Sequence, residues 1–316
     1  MPDKIWNAWA GIFSSPWNWS PSAAPAAGDN LYIQNGTAMM VGQTFGSDSA
    51  RSTIGLTGQA ASDAPTLVVL DATLKNVLVD TASESPGLDY SPAKHGTLVV
   101  AGTVTNDGGQ IESGRGNLLF GGDSLDVTIA PGSTLINKGS IYASPGNQMT
   151  ISGGDGSTLE NDGTINAAGG SVTISTHLTG TGDVSAGRGA QQGPHLELKG
   201  AVDAGQTFHI FEGAIQVDQP LSFLGQIDGS LQQTGAVLLE GLAAASWDLN
   251  GSAVEFFDAG GSVIDTLRLT APADPSTLAV FSEANPTYGN TVVVGSSHFS
   301  QPPTGTPLLP YHSATT

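Results

Sequence analysis

The residues able to do chemistry in this chain are carboxylates, histidines and aromatics; the 316 residues include no cysteine, so thiol nucleophiles, thiolate metal sites and disulfides are excluded. One stretch, GGDSLDVTI at 121–129, approaches the nonapeptide calcium pattern of β-solenoids, with leading glycines, Asp123 and Asp126. Its fourth position is Ser124, Thr128 stands where an apolar residue belongs, and the pattern does not recur. Asp123, Asp126, Asp155, Glu160 and Asp162 are therefore the candidate ligands for calcium, the one ion this sequence invites. No other cofactor is implied. The same carboxylates, with Arg115, Lys138 and Arg188, would serve a polysaccharide lyase or hydrolase if neighbouring coils brought two acids to within about 5–9.5 Å. Their plainer role is a solvated surface.

His95, His177, His195, His209, His298 and His312 form neither HxH nor HExxH, so a histidine metal site has no support. A GxSxG elbow is missing as well. Gly114–Gly116 and Gly187–Gly189 resemble phosphate loops only superficially, because no helix follows them to supply a dipole. Trp17 and Trp19 could form a sugar-stacking platform, since indole faces pack on pyranose rings. With Trp6 and Trp9 they instead fit a plug before the first regular coil, closing a core that would otherwise be open.

Charge narrows the partners. Nine Lys and Arg against 28 Asp and Glu give a formal charge of −19, which repels nucleic-acid phosphates. MPDKIWNAWAGIF lacks the form of a signal peptide, and no run of about 18 apolar residues predicts a membrane span.

The elements that must position these residues are strands. TLVVL (66–70), NVLVD (76–80), GTLVV (96–100), NLLF (117–120), DVTI (126–129) and SVTI (171–174) are short β-type runs bounded by turn residues. They also repeat. TLINKGSIYASPGNQMTI at 134–151 is echoed by TLENDGTINAAGGSVTI at 158–174, placing Asn137 and Asn161 24 residues apart. A looser copy puts Asn106 31 residues before Asn137. A helix-free repeat of this length predicts an all-β parallel solenoid, with Asn106, Asn137 and Asn161 stacked as a corner ladder in a left-handed turn conformation. The competing reading is an antiparallel sandwich or barrel, in which Asn35-Gly36, Asp107-Gly108, Asp162-Gly163 and Asn250-Gly251 would be hairpin turns.

The expected organisation is an N-terminal cap with first strands over 1–65, coils over 66–215, C-terminal coils or a small β-sandwich cap over 216–299, and a Pro- and Thr-rich linker over 300–316. Within the third part, VEFFD (254–258) and VIDTLRL (263–269) predict a hairpin burying Phe256, Ile264, Leu267 and Leu269.

Three phrases, NWSPSAAPAAGDNLYI, TLENDGTINAAGGSVTISTHLTGTGDVSAG and GQTFHIFEGAIQVDQPLSFLGQIDG, resemble the passenger regions of secreted bacterial autotransporter-like and adhesin-like proteins. TGAVLLEGL at 234–242 departs from that pattern by lacking its Asp, and no outer-membrane translocator is recognisable. The resemblance implies a right-handed parallel β-helix and an extracellular or cell-surface setting, and it carries no catalytic residue. The resulting expectation is a non-enzymatic adhesion, matrix or surface module, glycan-binding or self-associating. Its alternatives are a carbohydrate-active β-helix enzyme and a trimeric tailspike-like glycan-binding fibre.

Overall fold

The computed structural model describes residues 3–57, 65–81, 94–114, 122–187, 195–211, 213–232, 235–296 and 309–311. The chain is a parallel β-helix with three faces of 14, 12 and 6 strands. No α-helix occurs among the described residues, and hence none long and apolar enough to cross a membrane. Six successive coils visit the fourteen-, twelve- and six-stranded faces in turn, the first of them through Asn30–Ile33, Thr37–Val41 and Thr44–Gly46 before the next begins at Ser52–Leu56. The NLLF stretch at 117–120 lies outside the described residues.

Alternation along each strand builds the core. Thr134–Asn137, Ser140–Ala143 and Ser171–Ile174 all bury every second residue. In-register parallel pairing then stacks like on like: Leu31, Ile54, Val79, Ile111, Ile141, Ile165, Val184, Phe208 and Ile227 form one inward column. All are fully buried. Each such side chain contributes about 1.5–3 kcal/mol of burial, so β-branched and Leu residues recur wherever the column passes.

At the corner between the six- and fourteen-stranded faces, the inward position reads Phe45, Leu74, Asn106, Asn137 and Asn161 on successive coils, and Gly180 follows, where a Cβ would stand 2.5 Å from the Asn161 carbonyl oxygen. Asn106 Nδ2 donates to Asn137 Oδ1 at 2.8 Å, and Asn137 Nδ2 donates to Asn161 Oδ1 at 2.7 Å. Gly180 has no side chain with which to continue. Gln206 reaches past it: Asn161 Nδ2 donates to Gln206 Oε1 at 2.9 Å, while Gln206 Nε2 donates to the carbonyls of Asn161 and Thr179. Beside this ladder runs a glycine column. A Cβ on Gly139 would stand 2.1 Å from the Gly109 carbonyl oxygen, and one on Gly163 would stand 2.2 Å from that of Gly139.

The left-handed conformation expected for the three Asn is not adopted; among the described non-glycine residues only Asp71 and Asn76 have positive φ. The Asn is required for its amide and the following Gly for its missing Cβ. Asn35-Gly36, Asp107-Gly108 and Asp162-Gly163 connect different faces rather than hairpin strands, whereas Asn250-Gly251 does join an antiparallel pair, Ser246–Asn250 with Ala253–Phe257.

Coils extend beyond 66–215 on both sides. Parallel pairing begins with Asp3–Trp6 on Asn30–Ile33 and reaches Ala236–Glu240 on one face and Val263–Leu269 on another. The predicted 254–269 hairpin forms, with Phe256, Leu267 and Leu269 buried and Ile264 partly so. The C-terminal cap is not a separate sandwich. Val263–Leu269 pairs with Gln226–Ile227 and continues the fourteen-stranded face, and Gly289–Ser296 pairs antiparallel with Ala236–Glu240 to continue the twelve-stranded one. Residues 309–311, expected within a linker, pack on both terminal strands: Leu309 N–H donates to the Val280 carbonyl, and Trp247 N–H to that of Pro310. Residues 300–308 and 312–316 of that segment lie outside the described residues.

Replacing Asn161 by Leu removes partners from Asn137, Gln206 and the Asp183 carbonyl, all around one buried corner. At about 1–3 kcal/mol per stranded group, denaturant unfolding should lose about 2–4 kcal/mol. Asn106→Leu should cost less, because Leu74 already occupies the coil before it and Asn137 Oδ1 keeps the Gly139 N–H.

Candidate functional site

Inward polar groups are occupied with holding coils together, so chemistry must come from outward positions. On the fourteen-stranded face one outward column runs through Asp80, Glu112 and Tyr142, register partners on three successive coils. Adjacent parallel strands lie about 4.8 Å apart, so the two acids are neighbours. Although they point away from the core, Asp80 is only 4% and Glu112 only 3% exposed. Ser144 Oγ donates to Glu112 Oε1 at 2.8 Å and Gln110 Nε2 to its Oε2 at 2.9 Å. Arg51 Nη2 donates in turn to Gln110 Oε1, so a cation is linked to the carboxylate through one amide. Arg51, Asn76, Gln110 and Ser140 line an open hollow of about 250 Å³. Burial, and then the Glu112 charge, push the Tyr142 hydroxyl above its usual range.

The same column continues from Tyr142 through Asn166 and Ser185 to His209, which lies between two acids. Its Nδ1 is 2.5 Å from Asp228 Oδ2, its Nε2 is 3.2 Å from Asp183 Oδ1, and its ring stacks on Phe211 at 6.2 Å. Burial opposes the charged imidazolium, but the hydrogen bonds and charges of Asp228 and Asp183 outweigh it and raise the pKa.

Each member of the predicted calcium pair, Asp123 and Asp126, has a protein partner of its own. Asp123 Oδ1 accepts the Lys94 N–H at 2.8 Å, with burial holding its carboxyl above the ordinary value, while Asp126 faces outward against His95 Nε2 at 3.4 Å. Asp155 is exposed, Asp162 accepts the Thr181 N–H, and Lys138 is exposed. Among the described residues no three His, Asp or Glu side chains gather as a metal site. Arg115, Gly116, Gly121, Arg188, Gly189, His298 and His312 lie outside the described residues.

The tryptophan platform is corrected by burial. Trp19 is fully enclosed, edge-on to Trp6 at 5.1 Å and to Phe13 at 5.4 Å, and its Nε1 donates to the Phe13 carbonyl at 2.7 Å. Phe13 meets Phe45 at the first strand of the six-stranded face, so Trp6, Phe13 and Trp19 plug the N-terminal core. No face of Trp19 is free for a sugar. Trp17 is 82% and Trp9 85% exposed, and these two present indole surface to solvent.

Sequence reasoning missed the Asp80, Glu112, Tyr142 column and the His209 clasp. Asp80 ends its strand and Glu112 lies inside QIES with nothing locally unusual, so their adjacency needed the register between coils. No protein-family model matches the chain, and no curated protein matches it.

Two expectations follow. Trp19→Ala should cost about 3–5 kcal/mol in unfolding experiments on dilute protein, and Trp17→Ala no more than about 0.5 kcal/mol. For His209, the protonated ring is the stabilised form, so its contribution is complete below its ordinary pKa of 6.5 and is lost as pH rises through the raised value. The midpoint difference between wild type and His209→Gln, followed from about pH 5 to about pH 9, should therefore shrink with rising pH.

Proposed function

We propose that this protein is a non-enzymatic structural or adhesion module of an extracellular or bacterial-surface setting, presenting a long rigid face to a surface or matrix glycan and to further copies of itself. The observation that carries this reading is the outer side of the twelve-stranded face. There Thr37, Thr66, Thr97, Asp126, Thr150, Thr173, Glu197 and Gln216 follow one another in register. A straight row of hydroxyl, carboxylate and amide groups at strand spacing suits repeated, shallow hydrogen bonding to an extended polar polymer. Calcium is the ion to test with it, at the outward Asp126.

The adjacency of Asp80 and Glu112 favours a second reading, a carbohydrate-active enzyme. A glycan array with and without calcium, joined to a reducing-end release assay, separates the two. Binding without release is the expected outcome. Release of reducing ends that disappears in Asp80→Asn and Glu112→Gln would replace the adhesion reading with the enzymatic one.

A further inference from the structure

The two ends of the solenoid are finished differently. At the C-terminal end, both large faces end in antiparallel strands, and residues 309–311 lie on Trp247 and Val280. At the N-terminal end, Ala10–Ile12 is the last strand of the twelve-stranded face, pairing only with Thr37–Val41 among the described residues. The plug beneath it is complete, yet large apolar side chains remain outside. Trp9 is 85%, Trp17 82%, Ile12 50%, Val41 47% and Met39 39% exposed. Ile12 and Met39 are register partners on the outer side of the sheet. The turn carrying Trp17 is held beside them, because Asn18 Nδ2 donates to the Ile12 carbonyl.

Charge distinguishes this end from the rest of the molecule. Between Lys4 and Asp48 the sequence has a single charged residue, Asp29, and that carboxylate is buried in an ion pair with Lys4. Asp3, on the first strand of the fourteen-stranded face, is the one exposed charge among the described residues before Asp48, so this end is sparsely charged while the chain as a whole carries −19. Two copies approaching through their acidic surfaces bring like charges within a Debye length of about 8 Å. Through this end they bring apolar groups together with their acidic bodies pointing apart.

We infer that the sparsely charged N-terminal end, presenting Trp9, Ile12, Trp17, Met39 and Val41, docks against the same end of a second copy to give a head-to-head dimer. The patch meets its own equivalent across a two-fold axis, so association closes at two. The inference deepens the self-association in the proposed function and rests on that reading. It is measured by mass rather than by glycan binding, so the failure of either is recognised separately.

Sedimentation equilibrium of the full chain, from micromolar to near-millimolar protein and at low and high salt, tests it. The expected result is a monomer–dimer equilibrium that tightens as salt rises, because screening removes repulsion while leaving the apolar contact. Ile12→Asp and Trp17→Asp, each shown by circular dichroism to be folded, should weaken dimerisation at least about tenfold. Leu221→Asp, at a side chain 72% exposed in the Pro220–Ser222 turn, should leave it unchanged. A monomer throughout the range, a trimer, open-ended filaments, a dimer indifferent to Ile12→Asp and Trp17→Asp, or equal weakening by Leu221→Asp would each overturn the inference.

Discussion

Everything in this molecule is subordinate to the backbone ladder along the solenoid axis, which holds successive coils at a spacing of about 4.8 Å. At that distance a residue's nearest neighbours are the residues above and below it, so the chain is arranged as columns rather than as contacts within a coil. An apolar column such as Leu31 to Ile227 closes without voids because similar volumes stack. A polar residue placed in such a column must find its partner one coil away. That is why the buried amides of Asn106, Asn137 and Asn161 point along the axis, each donating to the next.

The same spacing explains how the amide ladder ends. Gly180 interrupts the column, and Gln206, longer by one methylene than Asn, reaches across the gap to Asn161. On the other side, Leu74 offers Asn106 no polar group, and Asn106 Oδ1 finds no hydrogen-bond partner among the described residues. Gly109, Gly139 and Gly163 permit the approach, since each neighbouring carbonyl occupies the space of a Cβ. Ladder and glycine column are two sides of one corner. One satisfies buried polar groups, and the other lets the backbones come close enough to do so.

A ladder that can grow by one more coil has to be stopped at both ends, and the chain uses different chemistry at each. Aromatic edge-to-face packing of Trp6, Phe13, Trp19 and Phe45 fills the first open cross-section. At the other end strand direction reverses, so the last parallel strand of the twelve-stranded face finds an antiparallel partner. Outward positions are freed from these demands. There the acids of the fourteen-stranded face and the threonines of the twelve-stranded face accumulate, and there any recognition must occur.

The repeat of Asn and Gly at 137–139 and 161–163 was legible as a coil signature because period and residue type survive in one dimension. So were the β class, the inward residues of each strand and the 254–269 hairpin. The amide ladder through Asn106, Asn137 and Asn161 was legible too, but the backbone conformation beneath it was not, since a left-handed corner and an axial amide ladder select the same residue. Gln206 was hidden because its partner Asn161 lies two coils away. The burial of Trp19 beside the exposure of Trp17, two residues apart in one phrase, was settled by the closing of the plug. Asp80 beside Glu112, and His209 between Asp183 and Asp228, were settled by register. By itself, then, the sequence determined that this chain winds and which residues face inward, because periodic burial is written along the chain. Tertiary structure alone decided which outward groups become neighbours, because the lengths of the connections between coils, rather than the motifs, set where each strand lands on the one before.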